Sequence, residues 1–422
     1  MTSPASVLPR PVPHDGRSPA VPAAPAGSRR HGIGFWAVAL TFLTAMAFST
    51  VPTPLYPLYE ARDGFSTFMV TVVFAVYAVG VVVSLMLAGH VSDWVGRKRI
   101  LLAALALELV AAALFLTSAA LPVLLVARFV TGLGVGMLTA TATAHLHELH
   151  AAHRPGASAQ RFELVSTAAN IGGLGVGPLV AGFLAQYLGA PLRLPYIVFA
   201  VLLAAAVVAL AGTPETVRAP ARRPGYRPQR VSADHGDRAG YLAAAAAGFA
   251  SFAVFGLFTS IAAGFVAHTL GHPSRALAGA VVFAVFGGAA VAQTATQRLP
   301  ARAKMTTGLV TEGAGFLTLV IGMHTANLAT FLVGGVVAGV GAGLLFKAAV
   351  GSVVAMAAPA RRSEALAGLF LVAYLGLSVP SVSIGVATLS VTATTALTWF
   401  TGVLLVLLVT VAVLNRRSPG GR

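Results

Sequence analysis

Twelve windows of about 20 mostly apolar residues run through this chain, and no other feature limits its fold so strongly. A helix of that length crosses roughly 30 Å of hydrocarbon, where every unpaired backbone group costs several kcal/mol. The windows lie near 33–58, 67–89, 100–118, 122–147, 162–187, 191–212, 240–267, 275–296, 305–323, 326–357, 364–388 and 392–414. Composition agrees: 57% of residues are apolar and 9% charged, against about 25% charged in soluble domains. The absence of cysteine excludes disulfide frameworks, thiolate metal sites and cysteine nucleophiles. Residues 1–30, with seven prolines and four arginines, read as a disordered tail. A cleaved leader is not expected, because the apolar stretch from Ile33 to Tyr59 is too long and a second span follows directly.

The net charge of +16 would suggest a nucleic-acid partner in a soluble protein. Here most of the 28 basic residues fall on one set of alternate loops: the N-terminal tail, Arg97 to Arg99, Arg154 and Arg161, the 213–239 segment, Arg298 to Lys304, Arg361 and Arg362, and the C-terminal tail. The other loops hold Arg62, Arg193 and Arg275, while Arg128 and Lys347 lie within spans. Since Lys and Arg are retained on the cytoplasmic side, a multi-pass protein of the cytoplasmic membrane with both termini inside is expected. Scattered over short loops, these charges form no nucleic-acid surface.

The chain is duplicated. Val72-Val73-Phe74-Ala75-Val76-Tyr77 recurs as Val281-Val282-Phe283-Ala284-Val285-Phe286, and Gly132-Leu133-Gly134-Val135-Gly136 recurs as Gly339-Val340-Gly341-Ala342-Gly343. Phe48-Ser49-Thr50-Val51 echoes Phe258-Thr259-Ser260-Ile261, and Glu108 falls on Glu312. The expected fold is all-α integral membrane, with twelve helices in two pseudo-symmetric six-helix bundles, 31–212 and 240–414. A cytoplasmic linker over 213–239, with four prolines and six arginines, joins them, and a short tail follows over 415–422. Transporters are commonly built this way, with the substrate between the halves. With no G-x-x-x-x-G-K-[ST] loop and no long soluble segment, ATP-driven transport within this polypeptide is not expected.

The loop after the second span reads Gly89-His90-Val91-Ser92-Asp93-Trp94-Val95-Gly96-Arg97-Lys98-Arg99. Its Gly89, Asp93, Gly96, Arg97 and Lys98 match the spacing of G-x-L-a-D-r-x-G-r-k, and in this the chain resembles the major facilitator superfamily, with Val91 and Trp94 departing from the pattern. Glycines permit the tight turn, and an aspartate there suits a neighbouring helix N-terminus. The resemblance implies a cytoplasmic latch, with Asp93 near Ser363 and Glu364, and inner-gate ion pairs of Glu148 with Arg97 and Arg154. A purely topogenic loop is the plainer reading.

Arg128 ahead of Gly132, Gly134 and Gly136 looks like the family's second signature. A mid-helix charge costs roughly 2.5–3.5 kcal/mol on insertion scales, so Arg128 is either a coupling group or an anchor near the outer end. Gly173, Gly177, Pro178 and Gly182 resemble the G-x-x-x-G-P-x-x-G-G hinge of the family's efflux antiporters, with Ala181 in place of one glycine. Pro52, Pro54 and Pro57 break the outer end of the first helix, as an extracellular gate element would.

Among the carboxylates, Glu108 and Glu312 alone lie deep, roughly 12 Å from a cytoplasmic end at 1.5 Å per residue. They are candidates for proton carriage or for hydrogen bonding between helices. Lys347, near the depth of Glu312, is a further coupling candidate, and a Lys347 to Glu312 contact broken by protonation would bias the rocking of the halves. His145, His147, His150 and His153 follow no H-E-x-x-H spacing and read as a hydrated helix end rather than a metal site. By resemblance, Tyr56, Tyr77, Asn170, Gln293 and Tyr374 lie in cavity-lining spans, as substrate contacts or as packing and interfacial groups.

The sequence therefore predicts no enzyme but a monomeric, proton-coupled exporter of small apolar or cationic compounds, needing no cofactor or metal. Import of a sugar or organic acid by proton symport is the alternative. A membrane sensor or scaffold and a lipid-modifying enzyme are more remote.

Overall fold

The computed structural model describes residues 29–89, 91–217, 225–231, 237–358 and 361–417. The expected tails lie outside the described residues, apart from Arg29 and Arg30, which open the first helix, and 415–417, which close the last. Residues 218–224 and 232–236 of the expected linker are likewise outside.

Twelve helices are long and apolar enough to cross a membrane: α1 (Arg29–Asp63), α2 (Thr67–Ala88), α3 (Arg97–Thr117), α4 (Leu121–His153), α5 (Gln160–Tyr187), α6 (Leu194–Ala211), α7 (Arg238–Ser260), α8 (Arg275–Ala295), α9 (Ala301–His324), α10 (Leu328–Met356), α11 (Arg362–Ala387) and α12 (Ala393–Arg416). No strand occurs among the described residues. Polar side chains start several helices: Ser66 accepts from the Met69 amide, its repeat mate Ser274 from Leu277, and Asn327 from Thr330. The proline run interrupts α1 at Val51 and Pro52, after which a tight turn (Thr53–Leu55) leads into Tyr56–Asp63.

The same neighbours recur in both halves. α1 packs on α4, α5 and α6, and α7 on α10, α11 and α12; α4 also packs on α2 and α3, and α10 on α8 and α9. Glycines set these crossings by letting backbones approach. A methyl group at Gly132 would lie 2.9 Å from the Gly80 Cα of α2, and one at Gly136 would lie 2.7 Å from the Ser84 Cβ. Gly339 and Gly343 meet Val285 and Ala289 of α8 in the same manner. The middle glycine of each triad faces the third helix of its half: Gly134 faces Glu108, and Gly341 faces the backbone of Glu312.

The halves meet chiefly through α5 against α8 and α2 against α11, contacts that the repeat makes equivalent. On the periphery, Val208 of α6 is 74% exposed and Val406 of α12 is 68% exposed. Such surfaces match hydrocarbon rather than water.

Candidate functional site

A cavity of about 580 Å³ lies between the halves. We call the face that carries the 89–97 loop the basic face. Starting from that face, the cavity is lined by Ala301, Lys304, Gln297 and Glu163, then by Lys347, Asn170 and Gln293, and more deeply by Arg128, Tyr77 and Thr53. Its blind end is closed by contacts across the halves. Thr53 Oγ1 donates to the Thr259 carbonyl at 3.0 Å. The Arg275 amide donates to Gln186 Oε1 at 2.9 Å, and Arg275 Nη1 to the Ala185 carbonyl at 3.1 Å. At its other end the lining reaches Gln297, Ala301 and Lys304, at the basic ends of α8 and α9, so the cavity extends to that face.

α5 is the helix on which this geometry turns. A methyl group at Gly173 would lie 2.9 Å from the Leu43 carbonyl of α1, Gly177 lies against Ala47 of α1, and Gly182 against the Arg275 backbone of α8. From the other side Gly279 of α8 packs on the Pro178 carbonyl. The motif residues thus hold α5 between its own half and the other. One turn earlier, Ala168–Gly172 forms a π-turn that includes Asn170, and such bulges re-aim side chains at functional sites.

Four of the five polar residues singled out for the cavity line it: Tyr77, Asn170, Gln293 and Tyr374. Tyr56 is 4% exposed and lies outside the lining. Arg128 is 2% exposed, donates from Nη1 to the Ser49 carbonyl at 2.7 Å and stacks 4.4 Å from the Tyr77 ring centre. A carbonyl and a ring face hold this cation without neutralising it, and its Nε has no partner among the described residues. Lys347 donates to the Gln293 carbonyl at 2.9 Å and lies 3.7 Å from Glu163 Oε2, an ion pair joining α10 to α5 across the cavity.

Glu108 and Glu312 are fully buried, and neither carboxyl has a hydrogen-bond partner among the described residues. They do not line the cavity, and the contact of Lys347 is with Glu163, not with Glu312. The histidine run also differs from expectation. His145 and His150 are buried rather than hydrated, their Nε2 atoms bonding the carbonyls of Pro214 at 3.1 Å and Ser158 at 3.2 Å, because α4 continues to His153 and the chain folds back over it.

At the basic face, Arg97 bonds Asp93 Oδ1 at 2.5 Å and Glu148 Oε1 at 3.0 Å, all within the first half. Asp93 has a side chain 62% exposed and makes no hydrogen bond or ion pair to Ser363 or Glu364, and Arg154 is exposed and in no ion pair among the described residues. Glu215, rather than the aspartate, caps α3: it accepts from the amides of Arg97 at 2.9 Å and Lys98 at 3.1 Å. Gly96 turns the chain into that cap with φ of +116°, a conformation favouring glycine. Lys98 Nζ donates to the Ala211 carbonyl at 2.5 Å. Gly89 ends α2.

Sequence reasoning missed Glu163, Lys304, Gln297 and the aromatic wall formed by Phe252, Phe346 and Phe370. The signal for Glu163 was present: Glu163, Ser166, Thr167 and Asn170 form a polar stripe at helical spacing, and all four line the cavity.

Residues 38–293 match the family profile described as Major Facilitator Superfamily. An uncharacterized MFS-type transporter of Mycobacterium tuberculosis is 30% identical over 156 residues, which are 36% of this chain and 26% of that relative's length. Among solved structures, the human organic anion transporter TETRAN matches with a TM-score of 0.64 at 17% identity, covering 90% of this chain and 99% of that one. The peptide transporter POT in complex with sulfate matches with a TM-score of 0.74 at 15% identity, covering 91% of this chain and 94% of that one. At such identities the likeness is one of fold alone. The profile spans more than half of the chain, and the protein is a multi-pass membrane transporter belonging to the Major Facilitator Superfamily.

Proposed function

We propose that the protein is a secondary transporter of the cytoplasmic membrane that exports small amphipathic compounds against protons by alternating access, acting as a monomer. The observation that carries this reading is the central cavity, closed at one end by the contacts of Thr53 with Thr259 and of Gln186 and Ala185 with Arg275, and reaching the basic face at the other. With the basic face placed in the cytoplasm, the structure on this reading is an inward-facing state. Rocking about α5 would bring the basic ends together, where Asp93 is exposed for a partner at the start of α11. A complete cavity within one chain supports the monomer.

Export rests on the resemblance of the α5 motif to those of antiporters, and proton coupling on the intramembrane charges. Among these, Arg128, Lys347 and Glu163 face the cavity, so coupling is better placed on them than on the walled-in Glu108 and Glu312. Import of an organic acid is the second reading, favoured by a cavity in which Arg128, Lys304 and Lys347 outnumber the single acid Glu163. Purified protein in liposomes with an imposed pH gradient tests both. Uphill movement out of the acidic compartment marks symport, movement into it marks antiport, and no gradient-dependent flux for any organic acid, amine or neutral compound tried contradicts proton coupling.

A further inference from the structure

The unsatisfied atoms of the cavity share one chemistry. Arg128, Gln293 and Gln297 line the cavity, and just behind its surface Arg128 Nε, Gln293 Nε2 and Gln297 Nε2, all hydrogen-bond donors, have no partner among the described residues. Arg128 and Gln293 are themselves more than nine-tenths buried. Unmade bonds at buried donors are costly, so an acceptor that these side chains turned to meet would relieve that cost. Lys304 and Lys347 add two cations near the mouth, while the lining includes one carboxylate, Glu163.

The pairing of that carboxylate is loose. Its 3.7 Å separation from Lys347 is beyond the 2.7–2.9 Å usual for a charge-assisted hydrogen bond, and the Glu163 side chain is 44% exposed. Lys347, by contrast, is fixed by the Gln293 carbonyl and keeps two of its three donors for another acceptor. Facing these polar groups is the aromatic wall of the second half, with Phe252 4.9 Å from Phe346 and 5.3 Å from Tyr374 between ring centres.

We propose that the cavity is a binding site for organic anions with an aromatic or alkyl body, in which Lys347 receives the anionic group in competition with the Glu163 carboxylate of the opposite half. In the empty protein Glu163 occupies the place of the ligand. An arriving carboxylate takes over the contact with Lys347, its body lies on the Phe252, Phe346 and Tyr374 rings, and the bridge between α5 and α10 is released. This inference rests on the reading of the cavity as the transport site and holds for either direction of transport.

The test is binding to purified protein in nanodiscs, by calorimetry and thermal shift, of phenylalkanoates from phenylacetate to phenylhexanoate against the amides and amines of the same skeletons. At least one carboxylate is expected to bind about tenfold or more tighter than its amide, as a hydrogen bond to a charged group implies. Lys347→Gln should abolish that preference and Lys347→Arg retain it. Glu163→Gln should tighten carboxylate binding about three- to fivefold, the value of an exposed ion pair removed from competition. Amides or amines binding as well as the acids, no acid binding at all, or weaker acid binding in Glu163→Gln would overturn the proposal. If Lys347→Gln does not fold, Glu163→Gln and the acid-to-amide ratio of the parent decide alone. Flux in liposomes separates the two readings: amine flux without acid binding overturns the anion site and keeps the transporter, whereas acid binding without flux of any compound does the reverse.

Discussion

The two halves solve one packing problem twice and then diverge in the cavity. Gly132, Gly134 and Gly136 bring α4 onto α2 and α3, just as Gly339, Gly341 and Gly343 bring α10 onto α8 and α9. Glu108 and Glu312 are repeat mates buried behind the middle glycines. Yet Arg128 in α4 has no charged mate in α10, and Lys347 in α10 matches Ala140 in α4. Duplication preserves what the backbone crossings require, and the residues that break the symmetry are those facing the cavity.

The largest expected effect comes from breaking the shared packing. Gly341→Ala would place a methyl 2.6 Å from the Glu312 Cα, where backbone must move, whereas the nearest atom to the methyl of Gly134→Ala is the end of a side chain, Glu108 Oε1. The first should cost about 2–3 kcal/mol and the second about 1 kcal/mol, read as loss of thermal stability; equal losses would mean that the halves pack more alike than these contacts indicate. Next comes the asymmetric charge. Arg128→Gln removes a cation that costs roughly 2.5–3.5 kcal/mol to place in a membrane helix, so flux should fall tenfold or more while the melting temperature holds. A variant that unfolds but keeps its flux per folded molecule would make Arg128 an anchor.

A smaller effect is expected from the twin carboxyls. Neither makes a hydrogen bond among the described residues, so the near-isosteric Glu108→Gln and Glu312→Gln should leave proton movement per substrate unchanged; its loss in either would return coupling to α3 or α9. Smallest is the cap of α3. Glu215→Gln should cost about 0.5–1 kcal/mol, screened by salt, and α9, which starts after Pro300 without a side-chain cap, has no corresponding loss to show.

The sequence showed what periodicity and length can carry: twelve spans, the repeated glycine triads, and the α5 motif that the structure places between α1 and α8. It showed less where contact partners are distant in sequence. Glu163 is passed over because it lies one turn into α5, and only folding brings Lys347 of the other half beside it. His145 and His150 read as hydrated because nothing local announces that Pro214 and Ser158 fold back onto them. Glu215 stands 118 residues from the amide it caps. The π-turn at Ala168–Gly172 shifts the helical register by a single residue within an Ala- and Gly-rich stretch, too little for hydrophobic periodicity to register.

Rocking of the two halves about α5 is the central claim, and a chain without cysteine permits its direct measurement. One spin-labelled pair, Ala157→Cys with Arg361→Cys, spans the halves at the basic face; a second, Ala120→Cys with Thr325→Cys, spans them at the other. Electron–electron resonance in nanodiscs, with and without a saturating phenylalkanoate and at several pH values, should show opposite changes, the basic-face distance shortening as the other lengthens. Both pairs keeping one fixed distance under every condition would contradict the account.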